Sequence, residues 1–575
     1  MRTTQQTSPS LSARFNFLTL TTRGPLILAA VFLAACSAEA PPEATTVAAA
    51  APSSSSAPDY VPTPVYCADP AVSTLCSVIP SFIGDDPILK DLAGYQGLSD
   101  QVTSSAGDAQ SPFDNMAWQM FIALNWQASQ SGGDPSTGLT GAGPVVWQTY
   151  ARPEEVFGGP VGSCANPNNL PVFNLISKSG AQDRDEGIMQ ATGQPLIDIN
   201  GNWALFERRL NGVEQDYIVS QGLNTYAGQQ AFVEASKTVL FPPGAQTPTN
   251  SLVGAIELKA SWRIIAEAEK SSYFNIQALI DVEGAYVRDG NPLCETVTLG
   301  LVGLHIIQAN SELGALDPKF IWASFEHKNN APTAAAACDP VDNNCYTTIL
   351  ENHCPAPANA GDFSFSQNAC SALPVNTPPV LAKGDSEFIW ERQQPFAGAY
   401  TTTSGTQQCG TQVSRCWQVY DLTQDLNTAW TGQLQAINSV FANYFLIGTN
   451  WGASIEFEPG KLDNNAVPAF LGNTTMETYI QSDPKVGNCV GCHSFANLAY
   501  TTGEGSSAKT YPANFSFLPG LATQLVCSDL TAGPIWSNEQ AQTTCPKVCG
   551  DSGDDWNGQW KTTQFGVTSV CGCCG

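Results

Sequence analysis

The chain has 575 residues, a formal net charge of −27 and only 13% charged residues. Such an acidic surface repels the phosphate backbone, so the composition excludes nucleic acid as a partner and leaves no basic patch for acidic lipid. Hydrophobic residues make up 43% of the chain, which is enough for a large core, and the length allows two to four domains.

The N-terminus has the pattern of an export signal. Three arginines precede a short apolar run from Leu26 to Ala34, which is too short to span a bilayer. The run ends in Leu-Ala-Ala-Cys, which resembles a bacterial lipoprotein box in which Cys36 is lipidated. Residues 1–36 are therefore predicted to be a lipoprotein signal peptide, with an ordinary signal peptide as the alternative. Ser37 follows the cysteine, and this favours an exported protein anchored by lipid in the outer membrane.

The next segment and the large body differ sharply in composition. Residues 37–64 are mainly Ala, Pro, Ser and Thr, and are predicted to be a disordered tether. Residues 65–525 are predicted to form an α+β body with an antiparallel sheet. Helical patterns span 114–127, 422–446 and 473–481. Strand patterns span 196–211, with a turn at Asn200-Gly201, and 252–265, 274–282, 296–308 and 319–327.

Residues 489–493 read Cys-Val-Gly-Cys-His, the attachment motif of a c-type haem. The thiols of Cys489 and Cys492 form thioether bonds to the haem vinyl groups, and His493 binds the iron. The motif therefore predicts one covalent haem c. The alternatives are a small disulfide loop beside an unrelated histidine and, more weakly, half of a zinc site.

The second axial ligand must come from residues before the motif, because no methionine follows it. About 30 residues separate the motif from the next module, so the haem is predicted to pack against the body. The candidates are His305, His327 and Met476. If the strands that carry His305 and His327 pair, both imidazoles could approach one cavity. For each candidate, packing or a bond to the backbone is the plain alternative.

The axial ligands decide the chemistry of such a haem. Two protein ligands favour electron transfer to a redox partner protein, for which an acidic surface suits a basic partner. An open position favours oxygen or peroxide chemistry, with Glu326 or His327 as a possible catalytic acid or base.

Four segments of the body carry a family resemblance. They are WQMFIALNW at 118–126, LVGLH ending at His305, WASFEH at 322–327 and the C-x-x-C-H motif. Over roughly residues 100–520 the chain resembles a family of uncharacterised bacterial cytochrome c-like proteins. The resemblance implies that these segments belong to one haem-bearing unit, and it implies no substrate.

The C-terminal module, residues 526–575, carries a second resemblance. It contains GPIWSN at 533–538, WNGQW at 556–560 and SV at 569–570, with AQ and PK between the first two. This order resembles the cyanobacterial oligomannose-binding lectin family. The resemblance implies a three-stranded antiparallel sheet with one helix, and a mannose-containing glycan as ligand.

The sugar-site candidates in this module are aromatic and amide residues. A ring stacks on the C–H face of a sugar, and amides bond its hydroxyls. The alternative is that the two tryptophans at the ends of this set are simply the core of a very small module. The candidates are Trp536, Asn538, Asn557, Gly558, Gln559 and Trp560.

The cysteines left after Cys36 and the haem motif number 16, an even count that is typical of disulfides in an oxidising compartment. Two helix-to-strand disulfides are expected in the C-terminal module, because the two cysteines of each element share one face. The pairs are drawn from Cys545 and Cys549 on the helix and Cys571 and Cys573 on the last strand. Cys527 and Cys574 could form a third bridge, and Cys164 and Cys294 are left to pair at long range. A metal site at residues 571–574 is the alternative.

Together these features predict an exported mono-haem c-type cytochrome that transfers electrons at the cell envelope. The C-terminal module would position it on glycan. One alternative is a peroxidase- or oxygenase-like haem enzyme targeted to polysaccharide. Another is a carbohydrate-binding surface protein in which the haem is a sensor.

Overall fold

The computed structural model describes most of the body and of the C-terminal module. The predictions for residues 1–64, including the lipidation of Cys36, lie outside the described residues. The described ranges are 75–81, 106–130, 133–141, 143–158, 164–175, 188, 190, 194–246, 251–310, 320–338, 354, 361–385, 388–400, 402–404, 407–452, 466–468, 470–483, 486–503, 508–522, 527–552, 555–564 and 566–574.

The helices within these ranges are mostly short. They are α1 Ala106–Leu124, α2 Pro135–Gly138, α3 Pro153–Phe157, α4 Gly212–Ser220, α5 Tyr226–Glu234, α6 Asp421–Ala436, α7 Cys489–His493 and α8 Asn538–Gly550. Short 3-10 turns occupy Ala128–Gln130, Val146–Thr149, Glu267–Ser272, Gly284–Tyr286, Asn368–Cys370, Gly398–Tyr400, Val440–Asn443 and Leu518–Leu521. Among the described helices, none combines the length and the apolar character that a bilayer span needs.

Most of the strands lie between α5 and α6, where no α-helix interrupts the described residues. The strands are β1 Val172–Leu175, β2 Leu205–Leu210, β3 Ala245–Gln246, β4 Ser251–Leu252, β5 Ile256–Ile264, β6 Asn275–Val282, β7 Leu293–Ala309, β8 Phe320–His327, β9 Thr333–Cys338, β10 Thr402–Ser404, β11 Gln407–Cys409, β12 Arg415–Trp417, β13 Tyr444–Gly452, β14 Ala466–Val467, β15 Cys527–Ala532, β16 Asp555–Gln564 and β17 Thr568–Cys574.

An eight-stranded sheet organises the body around the long strand β7. One edge of β7 pairs with β5, and β2 lies beyond β5. The other edge of β7 pairs with β6 over residues 293–300 and with β8 over residues 303–309. Strand β6 lies on the edge opposite β5 because residues 299 and 300 of β7 pair with both of these strands. Strands β13 and β14 continue from β8. All pairs of this sheet are antiparallel except β1 with β6, so the predicted α+β body with an antiparallel sheet is confirmed.

The two faces of the central strands β5, β7 and β8 differ in character because side chains alternate along a strand. One face carries Leu258, Leu304, Ile306 and Phe325, which are fully buried in the main core. Helices α1 and α6 cover this face, and the ring of Phe121 stacks on that of Phe325 with centroids 4.2 Å apart. We call it the helix face.

The opposite face, which we call the polar face, carries buried polar side chains. From β5 it presents Glu257, Lys259 and Ser261, from β7 Gly303, His305 and Ile307, and from β8 Trp322, Ser324 and Glu326. The residues that cover it come from the end of the body. We call residues 470–522 the late segment. Polar side chains that are buried on this face lose their hydrogen bonds to water and need partners from the late segment.

Hydrogen bonds fix the late segment on the polar face. The backbone N–H and hydroxyl of Thr474 donate to Glu326 at 2.6 and 2.5 Å, and the hydroxyls of Thr475 and Ser261 lie 2.7 Å apart. Further along the segment, Ser516 Oγ donates to Glu257 Oε2 over 2.8 Å. The segment that carries the C-x-x-C-H motif is therefore packed against the sheet of the body.

Two of the predicted helices differ from the structure. The pattern over 422–446 forms a helix only to Ala436, and strand β13 begins at Tyr444. Asn438 has φ of +55°, a left-handed conformation that ends helices. The helix predicted over 473–481 is a series of turns instead. Here Asn473 Oδ1 accepts the N–H of Thr475, and side chains of this type compete with helical backbone bonds.

The other predicted elements are confirmed with small shifts in their bounds. The helix predicted over 114–127 is α1, and the four later strand patterns correspond to β5, β6, β7 and β8. The turn at Asn200-Gly201 lies between Ile197 and Trp203, which form an isolated bridge just before β2. Gly201 has φ of +75°, which suits glycine at this turn.

The C-terminal module has the expected fold. Strands β15, β17 and β16 form an antiparallel sheet in that order, and helix α8 packs on it. Its core contains only a few apolar residues and the buried sulfurs of four cysteines. The two predicted helix-to-strand disulfides are confirmed as Cys545–Cys571 and Cys549–Cys573. Cys527 and Cys574 are register partners in β15 and β17, and a bridge between them stays a prediction.

Among the described residues of the body, one disulfide agrees with a predicted pair and two others were not predicted. Cys164 and Cys294 are bonded across 130 residues, as expected. Two further disulfides tie the loop that follows β9 to the chain around β11 and β12. They are Cys354–Cys416 and Cys370–Cys409, and the sequence did not indicate either pairing.

Replacement of Arg415 by Ala should strongly destabilise the body. Its guanidinium donates to both oxygens of the fully buried Glu326, at 3.2 and 2.5 Å. Loss of the cation leaves a buried carboxylate, so we expect a fall of about 3–5 kcal/mol in the free energy of unfolding. Urea denaturation followed by tryptophan fluorescence measures it.

The control for this prediction is Lys270→Ala, which removes an ion pair with Glu267 on the surface. Such exposed pairs contribute about 1 kcal/mol or less. Equal losses in the two variants would contradict a structural role for the buried pair.

Candidate functional site

The C-x-x-C-H motif forms a single helical turn, α7. The side chain of Asn488 caps it by accepting the N–H of Gly491 at 2.7 Å, and Asn450 on β13 accepts the N–H of Val490 at 2.9 Å. Cys489 and Cys492 are three residues apart on this turn, so they share one face of it. Both are thiols in the structure and are not disulfide-bonded.

The imidazole of His493 is oriented by the backbone. Its Nδ1–H donates to the carbonyl oxygen of Phe515 over 2.7 Å, which leaves the lone pair on Nε2. Phe515 and Asn514 have φ of +66° and +49°, a left-handed conformation that is uncommon for such residues. The hydrogen bond from one ring nitrogen to a carbonyl is the arrangement that orients metal-binding histidines.

Aromatic rings enclose the half-buried His493. The ring of Trp322 on β8 lies 6.0 Å from it and that of Phe517 lies 5.1 Å away, between centroids. Burial is the main cause that lowers the pKa of His493 to about 4. His305 and Lys259 act in the same direction, and the Phe515 carbonyl and Glu477 oppose them. The imidazole is therefore neutral near pH 7, which is the form that binds metals.

His305 lies on the same polar face as Trp322 and is 8% exposed. Its buried Nε2 faces the carboxylate of Glu477, with Oε2 at 3.4 Å. Burial raises the pKa of Glu477. His305, Lys259 and the N–H of Asn473 outweigh that effect and hold the pKa below its usual value.

The charges of Glu477 and His305 act on residues of the motif. Burial and the carboxylate of Glu477 both raise the pKa of Cys489 well above its ordinary value. His305 and Glu477 also act on His493. The structure therefore brings four groups together, which are the motif's first thiol, its imidazole, His305 and Glu477.

His327 lies on the other face of the sheet. His305 pairs with Ser324, and His327 is three residues further along β8, so the two side chains point to opposite faces. The expectation that both imidazoles approach one cavity is therefore wrong. His327 Nε2–H donates to the carbonyl of Ser272 at 2.8 Å, and its Nδ1 accepts the N–H of Asn329 at 3.2 Å.

Glu326 and Met476 have structural contacts of their own. Glu326 is bonded to Arg415 and Thr474, as described above, and has no exposed surface. Met476 is fully buried in a separate apolar cluster with Phe206 and Tyr273, and its methyl group lies over Gly303. Cys489 and Val490 of the motif belong to a different cluster, together with Trp322 and the late segment.

The donor set at the motif fits a covalent haem. Two thiols on one face of a helical turn are the groups that react with the haem vinyls. The bond from His493 to the carbonyl of Phe515 leaves Nε2 to bind iron. A second buried imidazole, His305, faces the carboxylate of Glu477.

The sugar-site candidates of the C-terminal module lie around the start of α8. Trp536 is 59% exposed and lies outside the apolar cluster of the module. Its backbone N–H donates to Gln540 Oε1 at 3.0 Å, and Ser537 caps the helix. Gly566 has φ of +70° and approaches the edge of the Trp536 ring, so a side chain there would contact the indole.

Trp560 differs from Trp536 in its surroundings. It is half-buried and packs against the module core, and its indole N–H donates to Asn538 Oδ1 over 2.9 Å. This bond joins β16 to the start of α8. The structure therefore brings Trp536, Asn538 and Trp560 to one end of the module, where Trp536 and Asn538 are exposed and Trp560 is half-buried.

Asn557, Gly558 and Gln559 form a bulge in β16. Trp556 pairs with Cys573 and Trp560 with Cys571, so β16 spans four residues where β17 spans two. A bulge of this kind is a local distortion that often accompanies a binding site.

Sequence patterns did not indicate two residues of the haem-motif site. Glu477 follows a threonine-rich turn with no recognisable spacing from the motif. Phe515 contributes through its backbone carbonyl, which no side-chain pattern reveals. The preceding Asn514 was a weak signal, because asparagine tolerates the left-handed conformation better than most residues.

Comparison with known proteins gives matches for the C-terminal module. Residues 538–573 match the family described as "Mannan-binding protein". Lectin MVL of Microcystis viridis is 44% identical over 43 residues, which are 8% of this chain and 38% of the lectin. The match thus spans well under half of the lectin's length. The family match does not extend to the C-x-x-C-H motif, and no solved structure matches the chain significantly.

The contribution of His327 to the stability of the body should rise with pH between about 4 and 6.5. Burial lowers the pKa of His327 to about 4 in the folded chain, against about 6.5 unfolded. The unfolded state thus binds more protons in this window, and the contribution of the neutral imidazole is lost as pH falls. His327→Gln should reduce the pH-dependent change in unfolding free energy by roughly 2–3 kcal/mol. Denaturant titrations at a series of pH values measure it, and an unchanged slope would contradict the prediction.

Proposed function

We propose that the C-terminal module binds a mannose-containing glycan. The observation that carries this proposal is the match of residues 538–573 to a mannan-binding family. The geometry supports it, since an exposed tryptophan stands beside an asparagine and a bulged strand rich in amides. Lectin MVL is matched over only part of its length, so the glycan bound by this chain is part of the proposal.

Trp536 is the residue we expect to contact the sugar most directly. It is the exposed aromatic of the set, whereas Trp560 also supports the fold through its bond to Asn538. An aromatic ring stacks on the apolar C–H face of a pyranose, and the amides nearby bond the hydroxyls. The contribution of Asn557, Gly558 and Gln559 remains part of the same proposal.

Replacement of Trp536 by Ala should weaken glycan binding about tenfold or more, equivalent to about 1.4 kcal/mol or more. Isothermal titration of the full chain with an oligomannose glycan measures the affinity. Because the ring is 59% exposed, the variant should keep its fold and its module disulfides.

The matched control is Lys561→Ala, an exposed position next to Trp560 in the same strand but on the other side of the sheet. It should bind glycan as the wild type does. Undiminished binding by Trp536→Ala would show that this ring is not part of a sugar site.

We further propose that the body carries one covalent haem c and transfers electrons at the cell envelope. Cys489, Cys492 and His493 would hold the haem, which supplies a one-electron carrier when bound. The support comes from the motif, from the two thiols on one helical turn and from the Phe515 carbonyl that orients His493. A redox protein with a basic surface suits an acidic chain as partner.

The buried histidine beside the motif favours electron transfer over the alternative of a haem enzyme. A second imidazole ligand leaves no position for oxygen or peroxide. Glu326 and His327, the acid or base that such an enzyme would need, are engaged elsewhere by Arg415 and by the backbone. The export signal and the lipid anchor at Cys36 would place this activity at the outer membrane.

The double variant Cys489→Ser, Cys492→Ser should lose covalent haem completely, because serine cannot form the thioether bonds. Haem staining after denaturing electrophoresis and the mass of the intact chain measure attachment. The control is Cys164→Ser, Cys294→Ser, which removes a disulfide of the body and should keep the haem. A wild-type chain that carries no covalent haem when co-produced with the attachment machinery would refute the proposal.

A further inference from the structure

We propose that Glu214 is an uncharged carboxylic acid at neutral pH, and that its ionisation at higher pH loosens the late segment from the sheet. Glu214 would then be a pH-sensitive switch for the segment that carries the C-x-x-C-H motif. The inference goes beyond the proposed functions and depends neither on bound haem nor on bound glycan.

The first argument is the burial of the Glu214 carboxyl group. The side chain has no exposed surface, and neither of its oxygens has a hydrogen-bond partner among the described residues. Ionisation in such a place is strongly disfavoured, because no donor replaces the water that the carboxylate loses. The uncharged acid is therefore the favoured form.

The second argument is a neighbouring carboxyl group, that of Glu257, which is 6% exposed on β5. Glu257 pairs with Leu210 at the end of β2, and the next residue, Asn211, caps α4. Asn211 Oδ1 accepts the N–H groups of Glu214 and Ile256, both at 3.0 Å, so it ties α4 to β5. Burial and the negative charge of Glu257 both raise the pKa of Glu214 well above its usual value.

The partners of the two carboxyl groups indicate which one keeps the proton. Ser516 Oγ of the late segment donates to Glu257 Oε2 at 2.8 Å. Burial raises the pKa of Glu257, and Ser516, Arg208 and Lys259 oppose that effect. Glu257 thus has a donor and two cations that favour its charged form, whereas the oxygens of Glu214 have no donor in the described part of the chain. The proton therefore resides on Glu214.

Ionisation of Glu214 would place two like charges where α4 and β5 meet the late segment. Ile218 of α4 lies there in one apolar cluster with Val490 and Leu518. Two adjacent buried carboxylates repel each other and draw in water, so these apolar contacts and the bond from Ser516 should weaken.

The same change would reach the motif through the chain next to Ser516. The carbonyl of the preceding residue, Phe515, accepts the Nδ1–H of His493. A late segment that separates from Glu257 would therefore release the imidazole of the motif as well.

The raised pKa sets the direction of the pH dependence. The pKa of glutamate in an unfolded chain is about 4.3. Above this value the folded state keeps a proton that the unfolded state has lost, so the contribution of Glu214 to stability is full below about pH 4.3 and is lost as pH rises through the raised pKa. This direction is opposite to that of His327.

Infrared spectra of the full chain test the protonation of Glu214. At about pH 7 the wild type should show the band of a protonated carboxyl group that is missing in Glu214→Gln. Asp114 and Asp198 are mostly ionised at that pH, because their pKa values are about 6. Glu257→Gln should shift the titration of the band to lower pH, since it removes the charge that raises the pKa of Glu214.

Hydrogen exchange of the late segment tests the switch. Wild type and Glu214→Gln, in which an uncharged amide replaces the acid, should be equally protected at about pH 5. As pH rises towards about 9, the wild type should become at least about tenfold less protected than the variant at the same pH. The matched control is Glu154→Gln, an exposed position in the first turn of α3, which should behave as the wild type does.

Two outcomes would overturn the proposal. One is a wild type without the protonated-carboxyl band at about pH 7, and the other is the same pH dependence of exchange in the wild type and in Glu214→Gln. The wild-type band and its shift in Glu257→Gln keep the test valid if Glu214→Gln folds poorly.

Discussion

The buried carboxylate of Glu326 is the contact on which the arrangement of the body depends. It sits on the polar face of β8 with no exposed surface, and Arg415 and Thr474 supply its donors. These two partners are 59 residues apart in sequence, one beside the loop disulfides and one at the start of the late segment. A charge in the interior is tolerated only when every partner is in place. The sheet, the loop and the late segment are thus fixed together by one group.

That constraint explains why the C-x-x-C-H motif needs no separate domain. The late segment has little regular secondary structure, yet its side chains bond to β5 and β8, and the backbone N–H of Val490 bonds to Asn450 on β13. The position of the motif's helical turn is therefore set by contacts with the sheet. The same packing brings His493 to Trp322, and it encloses His305 and Glu477 next to the thiols.

Sequence patterns located the strands of the sheet well, because alternation and β-branched runs extend over β5 to β8. They overestimated helix in two places where asparagine and threonine side chains compete for the backbone, at Asn438 and around Thr475. Which face a histidine occupies depends on strand register, and this is why His305 and His327 could not be separated. Cys545 and Cys549 were predictable because helix spacing alone puts them on one side.

The polar face also has a consequence for how the chain is made. A chain is synthesised from its N-terminus, so β5, β7 and β8 are made long before the late segment. Until residues 470–522 arrive, Glu257, Ser261 and Glu326 have none of their late-segment partners. The body can therefore complete its fold only after this segment has been made, and a truncation before it would leave the polar face without these partners.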